Sequence, residues 1–515
     1  MTADVAASGV EYFIEGDFIM GDDLELQKNV IGKACHGDNK SYKEKYYFSV
    51  INWSDFIYSQ KFFYKKTDLT IYFLSLYNDF LTYLLENKSR YFDEVTKSYL
   101  QSKIQKFITD NNCTGLKSEY CSNKIKKHIF FGNKIDYRYL LISEVICSLN
   151  LFGFSMNKKF QGVLEKTLCL KESALLTLLE KSKNQQLIND KKTAQSFSSF
   201  NCFSKKLDEY NSLRVVNICV CATMSAGKSS FVNALLGNDY LPARNEATTA
   251  KITSVYDYDG QKKMIGFASD GKNIFDISDN LKVADIDKWN SDSHTKRIYL
   301  QSDLDSISSD KVICAVHDTP GTNNSGDESH KKITLEFLKN EKPDMIIFVA
   351  NATQLGTTDE KRLLEQIRES IAERKDNVPV LFVLNKADQI DPEKENLSEM
   401  IERYYKYISD LGFENKAVLP LSSKAARLFK MAVKNKAAEF TRREEFDLAT
   451  CYSDFSEYLD FSGGVKNTSS GGDEKITVGE YKYEKSKLKE ALNRSGIRAV
   501  EDYISSMIQS LAGII

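Results

Sequence analysis

The spacing of hydrophobic residues changes along the chain at about residue 210. Before that point apolar side chains recur at helical spacing, with the clearest runs at residues 69–85, 140–154, 160–168 and 175–179. This spacing matches one face of an α-helix, which repeats about every 3.6 residues. The pattern therefore predicts a helical domain over residues 60–185, whereas the aromatic-rich segment before it fits no single period.

After about residue 212, short apolar runs of strand length alternate with helical ones. The strand-like runs are residues 215–221, 312–316, 345–350, 378–384 and 417–421. Near-continuous apolar strands separated by helices are typical of a parallel sheet covered on both faces. We therefore predict an α/β domain with a doubly wound, mostly parallel sheet at residues 206–515, preceded by a mainly α-helical N-terminal region at residues 1–205. The polar, serine-rich stretch 184–206 is expected to link the two.

The composition of the chain argues against several functional classes. With 515 residues and a formal net charge of −2, the chain is long enough for about two to four domains, and it lacks the basic excess of a nucleic-acid-binding protein. Its ten cysteines form no CxxC pair or Cys/His cluster, which predicts reduced thiols in a cytoplasmic protein. No signal peptide and no apolar run of membrane-spanning length are recognised, so any membrane contact is expected to be peripheral, at the inner face.

Residues 222–230, Ala-Thr-Met-Ser-Ala-Gly-Lys-Ser-Ser, have the pattern of a loop that binds phosphate groups. They join the first predicted strand to a short predicted helix, whose N-terminal N–H groups attract anions. Gly227 lets the backbone approach a nucleotide, Lys228 reaches the β- and γ-phosphates, and Ser229 binds Mg²⁺. Alanine stands at position 222, in place of the first glycine of the pattern. The residues predicted to bind the phosphates are Ala226, Gly227, Lys228, Ser229 and Ser230.

A second motif, Asp318-Thr-Pro-Gly321, follows the predicted strand at residues 312–316. At the end of a strand, a carboxylate such as Asp318 can hold Mg²⁺ through water, and the N–H of Gly321 can sense the γ-phosphate. The motif therefore adds a metal ligand and a phosphate contact to the predicted site.

The third motif, Asn385-Lys386-Ala-Asp388, follows the predicted strand at residues 378–384 and indicates which base is bound. Asp388 can accept both N–H donors on one edge of guanine, a pair that adenine lacks. Lys386 is expected to cover the face of the base, and Asn385 to tie this loop to the phosphate loop. Ser422 and Ser423, after the last predicted strand, are expected to supply a backbone donor to the guanine oxygen. These residues predict GTP rather than ATP as the ligand.

In combination these motifs resemble those of the dynamin-like large GTPases, particularly their bacterial members. The resemblance rests on residues 224–237, Leu241-Pro242, Thr248-Thr249-Ala-Lys-Ile-Thr253 and the motifs at 318–321 and 385–388, and it covers about residues 213–515. It implies a domain that binds GTP and hydrolyses it to GDP and phosphate with Mg²⁺. It also implies a homodimer formed through the nucleotide face, or a related GTPase as partner.

The resemblance further assigns roles in hydrolysis. Thr249 corresponds to the switch threonine that closes over Mg²⁺ and the γ-phosphate, with Thr248 as the alternative and a packing role at a strand edge as the other interpretation. Thr322 and Met224 stand where small GTPases and eukaryotic dynamins, respectively, have a water-positioning glutamine. Ser225 remains to polarise the β–γ bridge or to hold a monovalent cation, so slow basal hydrolysis is expected. The predicted catalytic residues are Ser225, Lys228 and Thr249, and the predicted metal ligands are Ser229, Thr249 and Asp318.

Three functions remain open. The first is a GTP-hydrolysing dynamin-like protein that assembles with itself or a partner to remodel or tether membrane, with any stalk supplied by the N-terminal helices or by the partner. The second is a soluble regulatory GTPase without membrane activity. The third is a nucleotide-binding module with little hydrolysis, which Ala222 and Met224 favour. The helical periodicity of residues 495–511 predicts a helix packed on the domain rather than an amphipathic membrane anchor.

Overall fold

The computed structural model of the protein divides into two compact units, Met1–Leu213 and Arg214–Ile515. It describes residues 42–59, 93–110, individual positions between 158 and 210, and 211–513 apart from 243–250, 305, 308–310, 321–327, 373, 375–376, 435–439 and 465–473. The helices predicted over 69–85 and 140–154 lie outside the described residues.

The first unit contains two described helices, α1 (Tyr42–Ser59) and α2 (Glu94–Asp110). The aromatic-rich segment whose pattern was ambiguous forms α1, and it buries Tyr46, Tyr47, Phe48 and Trp53. Asp93 caps α2 by accepting the N–H of Thr96 at 2.8 Å, and its other oxygen accepts the hydroxyl of Tyr47 at 2.6 Å. The described part of the first unit is therefore helical, and its aromatic residues form a buried core.

The second unit is built on a central sheet. Nine of the described strands form it, in the order β4-β3-β5-β2-β6-β1-β7-β8-β9. These strands are β1 (Arg214–Ala222), β2 (Ile252–Asp257), β3 (Ile265–Ser269), β4 (Ile274–Ser278), β5 (Arg297–Ser302), β6 (Val312–Asp318), β7 (Met345–Asn351), β8 (Val380–Asn385) and β9 (Lys416–Leu421). Strands β6, β1, β7, β8 and β9 are mutually parallel, β2 and β5 pair in parallel, and β2–β6, β3–β5 and β3–β4 pair antiparallel. The sheet is therefore mixed and mostly parallel.

The predicted α/β fold is confirmed, and all five predicted strands are present as β1, β6, β7, β8 and β9. The helices are α3 (Lys228–Leu236), α4 (Val283–Ser291), α5 (Glu328–Glu341), α6 (Thr358–Ala372), α7 (Leu397–Asp410), α8 (Ser423–Val433), α9 (Arg442–Glu457), α10 (Lys485–Arg494) and α11 (Ile497–Gly513). A short hairpin, β10 (Lys475–Val478) and β11 (Tyr481–Glu484), lies between α9 and α10. Every residue of β6, β7 and β8 is buried, as expected for strands covered by helices on both faces.

The last described helix, α11, packs on the domain. Val500, Ile504 and Ile508 are buried in the core, and Met507 and Leu511 pack against it while partly exposed. The packing predicted from the helical spacing of residues 495–511 is thereby confirmed. Among the described residues, no helix combines the length and the apolar character needed to cross a membrane.

Candidate nucleotide-binding site

The predicted site residues lie where four parallel strands end at the same edge of the sheet. Strand β1 leads into the phosphate loop, β6 ends at Asp318, β8 ends at Asn385, and β9 is followed by Ser422. The register places Val220 beside Asp318, and Asn385 beside Leu421. Loops that follow the carboxyl ends of parallel strands are the usual ligand site in sheets of this kind. The fold therefore gathers motifs that are far apart in the chain.

The phosphate loop contains two residues in the left-handed backbone region, Ser225 with φ of 62° and Gly227 with φ of 88°. Gly227 is the residue immediately before α3. A Cβ atom at this position would lie 2.3 Å from Nδ2 of Asn385, closer than any real contact. Both the backbone angle and the available space therefore require glycine here. As a result, the loop closes against Asn385 and its N–H groups lie at the N-terminus of α3.

Lys228 and Ser229 of the phosphate loop form a connected cluster with Asp318. The Lys228 ammonium is paired with Oδ1 of Asp318, and the Ser229 hydroxyl donates to Oδ2 of the same carboxylate at 3.1 Å. The hydroxyl of Thr319 donates to the carbonyl of Val220 at 2.8 Å, which fixes the residue after Asp318 to β1. Hydroxyl and carboxylate oxygens are the ligands that Mg²⁺ prefers. The donors of Ser229 and Asp318 therefore fit this ion.

His317, which the sequence pattern did not single out, holds the strands beneath this cluster. Its Nδ1 lies 2.8 Å from Oγ of Ser254 on β2, and its Nε2 lies 3.0 Å from Oδ1 of Asn217 on β1. Burial, and then the charge of Arg297, lowers the pKa of His317 to about 3. The imidazole is therefore neutral at physiological pH, and it joins three strands next to Asp318. Its partners lie on other strands, and no local pattern predicts them.

Asn385 connects the loops of the candidate site. Its Nδ2 donates to the carbonyl of Ala226 at 2.8 Å, and its Oδ1 accepts the N–H of Ser423 at 3.1 Å. Lys386, in the left-handed region with φ of 63°, donates from Nζ to the carbonyl of Ser225 at 2.7 Å. The predicted tie between Asn385 and the phosphate loop is therefore present in the structure. Ser230 is half-buried in the first turn of α3.

Ser422 and Ser423 are buried at the N-terminus of α8. The Ser422 hydroxyl accepts the N–H of Ala425 as the helix cap, at 3.3 Å, and it also bonds to Asp388. The N–H of Ser422 donates to the carbonyl of Ser495 at 3.0 Å, and that of Ser423 is engaged by Asn385. With both backbone donors bonded within the protein, their assignment to the guanine oxygen stays a prediction.

The remaining predicted residues differ in how far the structure describes them. The side chains of Met224 and Ser225 are exposed at the phosphate loop. Thr248, Thr249 and Gly321 lie outside the described residues, and the roles assigned to them stay predictions.

The structure also brings helix α9, which carries none of the recognised motifs, close to the loops that follow β8 and β9. Asp447 of α9 pairs with Lys424, the residue after Ser423, at 2.8 Å. The charge of Asp454 contributes to the raised pKa of Asp388, for which burial is the main cause. The helical periodicity of residues 442–457 is readable from the chain, but the surface that this helix covers is not.

Residues 218–387 fit the model of the Dynamin family. An uncharacterised protein of Caldicellulosiruptor is 26% identical over 245 residues, which are 47% of this chain and 55% of the relative. A bacterial dynamin-like protein of Nostoc punctiforme is 26% identical over 185 residues, which are 34% of this chain and 25% of the relative. The chain thus spans about half the length of the first relative and a quarter of the second.

Solved structures show weak overall similarity. An oligomerised bacterial dynamin pair, described as a mechanism for long-range sensing and tethering of membranes, gives a TM-score of 0.33 with 17% identity over 86% of this chain and 61% of that chain. The structure of Era with MgGDPNP and a segment of 16S ribosomal RNA gives a TM-score of 0.24 with 20% identity over 41% of this chain and 52% of that chain.

Proposed function

We propose that this protein, whose residues 218–387 fit the model of the Dynamin family, binds GTP and hydrolyses it to GDP and phosphate. Asn385 is the observation that carries the proposal. Its amide group bonds to Ala226 of the phosphate loop and to Ser423 of the loop after β9. The Asn385 side chain, at the start of the loop that carries Asp388, therefore holds the phosphate loop and the loop after β9 in fixed positions relative to its own loop.

Guanine recognition is assigned to Asp388. An ionised carboxylate accepts the N1–H and one N2–H of guanine together, and adenine offers no equivalent pair. Lys386, whose ammonium group reaches the carbonyl of Ser225, lies between the base loop and the phosphate loop and covers one face of the base with its alkyl stem. The proposed ligand is therefore a guanine nucleotide.

Ser229 and Asp318 are the described residues that would hold Mg²⁺, and Thr249 is proposed as a further ligand. Their hydroxyl and carboxylate oxygens already lie 3.1 Å apart. When bound, the ion neutralises charge on the β- and γ-phosphates. Lys228, at the first position of α3 and paired with the same carboxylate, supplies a fixed positive charge for these phosphates.

In the proposed reaction, water attacks the γ-phosphorus and the bond from that phosphorus to the β–γ bridging oxygen breaks. GDP leaves with the bonding electron pair, and the water proton ends on the released phosphate. Ser225 is proposed to polarise the bridging oxygen or to hold a monovalent cation there. Met224, whose side chain is 43% exposed, has no group that orients water by strong hydrogen bonds. Basal hydrolysis is therefore expected to be slow.

We further propose that the protein assembles through its nucleotide face, with itself or with a related GTPase, and that assembly serves to remodel or tether membrane from the inner face. The match of residues 218–387 to the model of the Dynamin family supports this. A second candidate, a nucleotide-binding module with little hydrolysis, is favoured by Met224. A third, a soluble regulatory GTPase, differs from the first in having no response to lipid.

Phosphate release from GTP, measured against protein concentration with and without anionic liposomes, tests the proposal. Turnover per molecule should rise steeply with concentration and again with lipid, because assembly completes the site. The Lys228→Ala variant should lose about a hundredfold or more in kcat/KM through loss of charge stabilisation in the transition state. Lys262→Ala, which removes an exposed lysine away from the site, is the matched control.

Other outcomes distinguish the alternatives. GTP binding with no phosphate release above the Lys228→Ala background would favour the binding module. Lipid-independent turnover, together with no co-sedimentation with liposomes in a non-hydrolysable GTP analogue, would favour the soluble regulatory GTPase. Unchanged phosphate release by Lys228→Ala would contradict the enzymatic assignment.

A further inference from the structure

Two ion pairs fix the direction of α9 against α8. Arg427 pairs with Glu444 at 2.7 Å, and Lys424 pairs with Asp447 at 2.8 Å. From Lys424 to Arg427 the chain of α8 runs toward its C-terminus, whereas their partners on α9, Asp447 and Glu444, follow one another toward the N-terminus. The two helices therefore run antiparallel. Helix α8 begins at Ser423, one residue before Lys424. The part of α9 after Asp447 therefore continues past the start of α8, toward the loop that carries Asp388.

The residues of α9 that reach this loop share one face of the helix. Cys451 and Asp454 follow Asp447 by four and seven positions, a spacing that stacks side chains one turn above another. Cys451 is buried, and burial, followed by the charge of Asp388, raises the pKa of its thiol to about 12. The charge of Asp454 acts on Asp388 itself. This face of α9 thus lies beside Asp388, the carboxylate proposed to bind guanine.

Helix α9 is anchored at both ends. At its start, Thr441 and Glu444 form a reciprocal capping box. At its end, Arg494 of α10 donates to the carbonyls of Phe455 and Ser456 at 2.9 and 3.0 Å. A helix held in this way keeps its side chains at fixed positions relative to the loops that it contacts.

We propose that α9 is part of the guanine-recognition site, and that the opposite charges of Lys424 and Asp454 near Asp388 set how strongly this carboxylate binds guanine. The inference rests on the proposed binding of guanine nucleotides. Lys424 is positioned by Asp447, whereas Asp454 projects from α9 itself. Both are specificity-determining residues that act through Asp388.

Asp388 must be ionised to bind guanine in the proposed way. Only the ionised carboxylate accepts two N–H groups at once, and protonation turns one oxygen into a donor. Burial raises the pKa of Asp388, the Ser422 hydroxyl and the Lys424 charge oppose the rise, and Asp454 adds to it. The groups that act on Asp388 or lie within reach of its charge are thus Ser422, which caps α8, Lys424 of α8, and Cys451 and Asp454 of α9. Asp447 of α9 pairs with Lys424. Guanine binding by Asp388 is therefore present above the pKa of this carboxyl group and is lost as the pH falls through that pKa.

The test measures the affinity of the full chain for a fluorescent GDP analogue, in steps from about pH 7.5 down to about pH 5, above the ordinary aspartate pKa of about 3.9. Affinities are expressed relative to the wild-type protein at each pH, which cancels protonation of the nucleotide. Relative affinity of Lys424→Gln should fall on acidification by about two- to fivefold, and that of Asp454→Asn should rise by a similar factor, as expected for partly exposed charges. Lys424→Arg should restore the wild-type profile.

Two controls remove a charge outside this cluster, namely Glu457→Gln at the end of α9 and Lys482→Gln on the hairpin, both exposed. Their profiles should coincide with the wild type. Equal loss at every pH in Lys424→Gln and Asp454→Asn would indicate a structural role only, and shifts in the same direction would likewise overturn the inference. Failure of the folded wild-type protein to prefer GDP over ADP would overturn the proposed function and the inference with it. Preference for GDP with unchanged pH profiles would overturn the inference alone.

Discussion

Helix α3 has a buried lysine–carboxylate pair at each of its ends, and the two pairs have different surroundings. At the N-terminus, Lys228 pairs with Asp318 at the edge where the strands end. At the C-terminus, Lys430 of α8 donates to the carbonyl of Leu235 at 2.9 Å and pairs with Glu501 of α11. The exposed fractions are 9% for Lys228 and 8% for Asp318, against 3% for Lys430 and 0% for Glu501.

Under the proposed function, the N-terminal end of α3 serves ligand binding and its C-terminal end serves the stability of the domain. The N-terminus of a helix attracts negative charge, and its C-terminus attracts positive charge. Asp318 at the first end and Lys430 at the second follow this rule. The Lys228 pair lies beside the loop proposed to bind phosphates, where an anionic ligand competes with Asp318 for the lysine. The Lys430 pair is enclosed by α3, α8 and α11 and stabilises their packing.

The largest effect is expected from Glu501→Gln, which leaves Lys430 buried without its counter-charge. The free energy of unfolding should fall by about 3–5 kcal/mol, measured by urea denaturation. Burial already lowers the pKa of Lys430, and loss of Glu501 lowers it further. Because the unfolded chain then binds more protons than the folded one, the stability of the variant should rise with pH toward about 10.4, more steeply than that of the wild type.

Glu490→Gln on α10 is the matched control for this experiment, since its carboxylate is largely exposed. It should change the free energy of unfolding by less than about 0.5 kcal/mol. GTP affinity of the folded Glu501→Gln protein should equal that of the wild type. A stability loss below about 1 kcal/mol would show that the pair is replaceable and would break the contrast between the two ends.

Gly227→Ala should produce an intermediate effect at the N-terminal end of α3. The new Cβ would lie 2.3 Å from Nδ2 of Asn385, so this amide group must shift from the position in which it bonds to Ala226. Affinity for a fluorescent guanine nucleotide should fall about tenfold or more, while the left-handed backbone angle alone costs about 1–2 kcal/mol of stability. Wild-type affinity in this variant would contradict the role given to Asn385.

Gly237→Ala, the corresponding change at the C-terminal end, should have the smallest effect. Gly237 has φ of 64°, and an added Cβ would lie 3.1 Å from Cβ and Cδ of Lys430. The melting temperature should fall by an amount equivalent to about 1 kcal/mol. Guanine-nucleotide affinity should not change, because the nine residues of α3 separate this end from the phosphate loop. A large loss of affinity would mean that the two ends of α3 are energetically coupled.

Local sequence patterns predicted the parallel part of the sheet and much of the site. Continuous apolar runs indicated β1, β6, β7, β8 and β9, and the motif residues Lys228, Asp318 and Asn385 do come together. The same patterns did not indicate β2 to β5. In the central sheet, three of the eight described strand pairings are antiparallel, and all three involve this region. Its strands are short, and their order in the sheet departs from their order in the chain.

The sequence by itself indicated the candidate nucleotide-binding loops, because each loop is a run of adjacent residues at the end of an apolar strand and its residue types can be recognised locally. Only the tertiary structure decided which charges oppose one another. Lys430 and Glu501 are 71 positions apart, and Lys424 meets Asp447 because α8 and α9 run antiparallel. Periodicity shows which face of a helix is buried. The surface that this face meets depends on how several elements pack at once, and no single segment encodes it.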